Sequence, residues 1–195
     1  MTDHDALADR GRALEEEYFR RRDRELIEKM RQAAAAEHAR SEMGQKTGLH
    51  DPALLKELQN LGFTPDTVML LPLVPLLEMA WAEGGITAAE RDLTVRLARS
   101  RGVVADSVAD RQLTQWMATR PDPSVFARAG RLTAAMLASG SDQATSGLTA
   151  DELVAYCERI AAASGGILGL RLGSVSAEEK SLLSRIASDL KARRS

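Results

Sequence analysis

Apolar residues along this chain recur at intervals of three and four, the spacing that places them on one face of an α-helix, and no segment gives a convincing strand pattern. The punctuation between periodic segments predicts the helix ends. A long helix is expected from about Asp5 to Met43, broken only by Gly11, and residues 44–50 read as a linker. Asp51-Pro52 is a cap followed by proline at the first helical position, with Gly62 ending that short helix, and Thr64-Pro65 repeats the device. Pro72 and Pro75 cannot sit inside a regular helix, so they are expected in the first turn of one that runs to Glu83. Further helices are expected over about 88–101, 107–119 and 123–138, the last opened by Asp122-Pro123. Gly140 to Gly147 is a polar loop rich in serine and glycine. Thr149-x-x-Glu152 then opens a helix carrying Tyr156, Cys157 and Ile160, and a final helix runs from Ala177 to about Arg193.

One pattern occurs twice, about 80 residues apart. Met79-Ala-Trp-Ala-Glu-Gly-Gly85 is followed by Ile86-Thr-Ala-Ala-Glu90-Arg91, and Ile160-Ala-Ala-Ala-Ser-Gly-Gly166 is followed, after an insertion, by Val175-Ser-Ala-Glu-Glu179-Lys180. Superposing the glycine pairs aligns Thr87 with Ser176, Glu90 with Glu179, Arg96 with Arg185 and Leu97 with Ile186. Each copy is an apolar helix closed at Gly-Gly, where a residue without Cβ takes the left-handed conformation. A capping box then opens the next helix. The hydroxyl accepts from the N3 amide and the glutamate accepts from the cap's own amide. A repeated helical pair predicts an all-α core built from a duplicated helix-loop-helix, preceded by the long charged helix.

That first helix has its own character. Twelve of the seventeen residues from Glu15 to Arg31 are charged, with the signs interleaved, and Glu16/Arg20, Glu17/Arg21 and Glu25/Lys29 have favourable i,i+4 spacing. Leu14, Tyr18, Leu26 and Met30 make a narrow apolar stripe, interrupted by Arg22 and flanked by Phe19 and Ile27. The heptad register is not kept, so a regular coiled coil is disfavoured. Residues 1–50 therefore read as a charged arm and linker, and 51–195 as the all-α domain. Tyr18, Phe19, Leu26 and Met30 are candidate partner-binding residues, and the same stripe offers a homodimer contact.

Composition narrows the function classes. Hydrophobic residues make up 44% and aromatics only 4%, which suits an aliphatic helical interior over a β-sandwich. A net charge of −2, with ten Lys/Arg against eleven Asp/Glu in residues 1–50, gives no drive toward nucleic acid. The single Cys157 cannot form an internal disulfide, which fits a reducing compartment. The charged N-terminus does not read as a signal peptide, and the longest apolar run, Val68 to Leu77, is too short for a membrane span, so a cytoplasmic protein is expected.

Ala80-Trp81-Ala82-Glu83-Gly84 followed by Ile86-Thr-Ala-Ala-Glu90-Arg91 resembles the signature of TerB-like domains, the all-α modules of bacterial tellurite-resistance proteins and of a membrane-associated DnaJ-type co-chaperone. The resemblance covers roughly Leu54 to Leu190 and leaves the charged arm outside. It implies a compact helical bundle, placed in the cytoplasm or peripherally at the inner membrane face, with stress-response or assembly roles and protein partners. It also implies a divalent metal site on acidic residues near the inter-helix loops. Carried over residue by residue, that site is Glu83, where the family usually has Asp, with Glu90 and Glu179. The counterpart of Glu83 in the second copy is Ser164, not a carboxylate, and so few oxygens are a thin set for a hard cation. Tellurite resistance itself is not carried over, since fold likeness does not transfer function.

Other chemistry is sparse. His4, His38 and His50 all fall in the arm or linker, and Cys157 reads as a small buried hydrophobe, so no residue set meets the roles a catalytic site needs. Trp81 and Trp116 fall on apolar helix faces and read as core. Gly165-Gly166, Gly169 and Gly173 follow no strand, so they do not form a phosphate loop. The insertion Ile167-Leu-Gly-Leu-Arg-Leu172 is apolar where a loop should be polar, so Ile167, Leu168 and Leu170 either cover the core or form a patch for a partner. The leading expectation is a non-enzymatic interaction module that binds protein partners. The alternative is a metal-ion-binding stress protein.

Overall fold

The computed structural model describes residues 3–139, 148–164 and 176–191, the side chains of 3–11, 13, 14 and 164 excepted. Every regular element among them is helical. The α-helices are α1 (Asp3–Thr47), α2 (Pro52–Asn60), α3 (Val74–Ala80), α4 (Ala88–Ser100), α5 (Val108–Ala118), α6 (Pro123–Ala138), α7 (Ala150–Ser164) and α8 (Ala177–Lys191), with a 3-10 helix over Val68–Leu73 ahead of α3. No helix among the described residues is long and apolar enough to cross a membrane.

The chain divides into two compact units, Met1–Ala39 and Arg40–Ser195. The first is the charged part of α1. From Glu15 to Ala35 every residue is exposed. Arg20 pairs with Glu16 at 2.7 Å, while Arg21 reaches Glu25 at 3.4 Å and not Glu17. Such exposed pairs are worth about 0.3–0.5 kcal/mol each, so they support the helix without anchoring it.

The second unit begins earlier than the boundary at residue 51 expected from composition. α1 continues through Gly44 to Thr47, and Met43, Thr47 and Leu49 are buried. Gly44 is read as a linker residue from sequence, but its missing side chain serves packing. A Cβ there would stand 2.9 Å from the Leu49 carbonyl oxygen. Gly48, at φ 68, ends the helix, and Arg40 reaches Gln59 Oε1 at 2.8 Å.

The centre of this unit is the apolar run after Thr67. Val68 and Leu70 to Leu77 are all buried, as expected of a segment hydrophobic on every side. α3 packs against α4, α6, α7 and α8, and α8 closes on α6 and α7. The two prolines do not share one first turn. Pro72 lies within the 3-10 helix, where i→i+3 bonding tolerates it, and Pro75 opens the shorter α3. Pro75 has no N–H to give the Leu71 carbonyl. The buried Thr133 hydroxyl from α6 lies 3.0 Å from that oxygen and 2.9 Å from Ala129 O, supplying a donor where the proline cannot. Thr64-Pro65 likewise starts no α-helix. Thr64 and Thr67 form a local turn, with Thr67 Oγ1 accepting from Thr64 N at 2.9 Å, which leads into the 3-10 helix.

Most other helix starts follow the caps in the sequence. Asp51, Ser107 and Asp122 accept backbone amides of Ala53, Asp110 and Ser124 at 2.8, 3.1 and 2.8 Å. Ion pairs then tie helices together: Arg128 to Glu57 joins α6 to α2, Arg99 to Asp110 joins α4 to α5, and Arg185 to Glu78 joins α8 to α3.

Candidate functional site

The two repeated capping boxes form with nearly the same geometry. Thr87 N donates to Glu90 Oε2 at 2.7 Å, and Glu90 N to Thr87 Oγ1 at 3.2 Å. In the second box Ser176 N donates to Glu179 Oε2 at 2.7 Å, and Glu179 N to Ser176 Oγ at 3.1 Å. Both glutamates are buried, at 2% and 1% exposure, whereas Glu83 is exposed. Burial pushes the Glu90 carboxyl above its ordinary value. Its Thr87 hydrogen bonds oppose that rise, and the Glu179 and Glu83 charges add to it. The three carboxylates named from sequence therefore share one electrostatic neighbourhood.

That neighbourhood does not fit a metal ion. One oxygen of each buried glutamate already accepts its cap's amide, and Glu83 lies in solvent. Among the described residues no group of three or more His, Cys, Asp or Glu could hold a cation. Capping gives Glu90 and Glu179 a structural role.

The partner-binding candidates on α1 lie on the surface. Tyr18, Phe19, Leu26 and Met30 are 57–65% exposed, and Ile27 is exposed beside them. The Tyr18 and Phe19 rings meet edge to face at 5.7 Å. Leu14 of the same stripe has no described side chain, and Ile167, Leu168 and Leu170 lie outside the described residues.

A further feature has no counterpart in the sequence reading. Between α4 and α7 lies an open cleft of about 240 Å³. Leu76, Leu93, Leu97 and Ile160 line it with apolar carbon, and Arg96 and Arg159 stand on its two walls beside Ser100 and Tyr156. The Arg159 guanidinium sits 5.4 Å over the Tyr156 ring, a cation–π contact that orients it. The usable sequence signal was local. An arginine follows an apolar position at i+3 on both helices (Leu93/Arg96, Tyr156/Arg159), and an apolar residue completes each turn at i+4. Nothing in that spacing says that the two helices are neighbours.

Cys157 is fully buried, and desolvation, with the Glu78 and Glu158 charges, pushes its thiol up to about 12, far from thiolate chemistry near neutrality. The Trp81 indole donates to the Trp116 carbonyl at 2.9 Å, and both rings pack against the core, in keeping with a structural role. His38 and His50 are exposed. No family model, curated protein or solved structure compared with the chain matches it.

Proposed function

We propose that this chain is a non-enzymatic, TerB-like helical interaction module that binds protein partners through its charged first helix. The observation that carries this reading is the apolar stripe of Tyr18, Leu26 and Met30 with Phe19 beside it, held in solvent along a helix rich in charge. An exposed stripe of large side chains on a charged helix is the usual chemistry of a helix–helix contact, with apolar anchors for affinity and flanking charges for register. The TerB-like assignment draws support from the paired boxes. Thr87/Glu90 and Ser176/Glu179 are geometrically alike, and the aligned Leu97 and Ile186 are both buried. The cytoplasm or the inner membrane face, and a stress-response or assembly role, belong to the same reading. A homodimer through α1 is its simplest form. The inert Cys157 and the histidines' placement outside the core support a role without catalysis.

The test uses the full chain and its Phe19→Ser/Leu26→Ser/Met30→Ser variant. All three positions are exposed, so thermal unfolding should be unchanged. Size exclusion with light scattering, together with crosslinked capture, should show association by the parent that the variant loses. Identical mass and identical captured proteins for the two chains would refute the role of α1.

A further inference from the structure

We propose that the cleft between α4 and α7 docks an acidic amphipathic helix of a partner protein, with its apolar side chains on the half-buried Leu93 and Tyr156 and its carboxylates on Arg96 and Arg159. This deepens the interaction-module reading and rests on it for the kind of partner.

Charge complementarity selects the occupant. Arg99, Arg128 and Arg185 each meet a carboxylate within the fold, but neither Arg96 nor Arg159 forms an ion pair among the described residues. Asp92, one turn before Arg96, and Glu158, adjacent to Arg159, form none with them either. Two cations therefore line one cleft, and among the described residues no carboxylate forms an ion pair with either. Stacking on Tyr156 occupies the face of the Arg159 guanidinium and leaves its N–H edge for a bidentate carboxylate. Size also decides. The cleft's volume of about 240 Å³ falls below the roughly 300–1,000 Å³ of sites that enclose a cofactor or metabolite, but accepts one or two anchoring side chains from a helix laid in a groove. A flat anionic membrane could reach the arginines, yet it would leave the concave floor unfilled.

The experiment titrates the isotope-labelled full chain with a synthetic helical peptide bearing leucine on one face and glutamate on the flanking positions. Its lysine-for-glutamate counterpart serves as control. Amide shifts are expected over residues 93–100 and 156–160 with the acidic peptide, and binding about tenfold weaker for the basic one, a loss that grows with salt. The Arg96→Glu/Arg159→Glu variant should melt like the parent, because both side chains are exposed, and should prefer the basic peptide. Equal shifts with both peptides, no shifts at millimolar peptide, or unchanged preference in the variant would each overturn the proposal. So would sodium dodecanoate filling the cleft and displacing the acidic peptide, since that outcome makes the ligand a fatty acid. The α1 triple-serine variant should keep this peptide binding. Peptide binding lost from the parent while capture through α1 persists defeats the cleft alone, and the reverse defeats α1 alone.

Discussion

The helix starts at Thr87 and Thr149 carry the same four-residue pattern and the same cap geometry. In each the threonine hydroxyl accepts the glutamate amide at 3.2 Å, and the carboxylate accepts the threonine amide at 2.7 or 2.8 Å. Their glutamates nevertheless shift in opposite directions. Glu90 is buried, and desolvation raises its pKa above the effect of its hydrogen bonds. Glu152 is exposed, so the Thr149 hydrogen bonds dominate, with help from the Arg101 charge, and its pKa falls. A capping box thus fixes backbone geometry from local sequence. Whether its charge strengthens or weakens the fold depends on what packs over it.

The most damaging way to separate the two boxes is truncation. Glu90→Ala removes the acceptor for the Thr87 amide in a buried place and should cost about 2 kcal/mol in urea unfolding. Glu152→Ala, where water can replace the carboxylate, should cost distinctly less. Equal losses would mean that burial does not distinguish the sites. A smaller effect comes from coupling. Glu179 contributes to the raised pKa of Glu90, so a cycle of Glu90→Gln and Glu179→Gln should depart from additivity by about 0.5 kcal/mol, the first substitution relieving part of what the second would relieve. Pairing Glu152→Gln with Glu179→Gln should give additive effects. Additivity in the first cycle would place the repeated boxes out of each other's electrostatic reach.

The same contrast explains what was legible from sequence. Asp51, Thr87, Asp122, Thr149 and Ser176 marked helix starts correctly because a cap is satisfied within a few residues of chain. Gly84, at φ 86, takes the expected left-handed conformation, but α3 ends at Ala80 and not at Glu83 as the sequence suggested. What failed depended on remote partners. Gly44 looked like a linker because the pattern does not show that Leu49 packs back on it. Pro72 and Pro75 looked like neighbours in one turn because the Thr133 hydroxyl that meets Leu71 O comes from another helix. For the candidate sites, exposure of the α1 stripe followed from its charged surroundings, whereas the meeting of Arg96 and Arg159 in one cleft arises from two helices far apart in sequence.

The smallest effect is the most diagnostic, because its sign differs between the two glutamates. The folded chain binds the Glu90 proton more tightly than the unfolded chain does, so the associated stability is full below pH 4.5 and is lost as pH rises through the elevated folded value. Glu152 behaves oppositely: its contribution is present above pH 4.5 and disappears as pH falls through the depressed folded value. Glutamine at either position keeps an oxygen acceptor for the cap amide and removes the titration. Stability measured by urea unfolding from pH 3 to neutrality should therefore show Glu90→Gln gaining on the parent as pH rises above 4.5. Glu152→Gln should trail the parent near neutrality and converge with it in acid. If Glu90→Gln instead runs parallel to the parent across that range, the carboxylate is solvated despite its position, and burial is not what divides the two boxes.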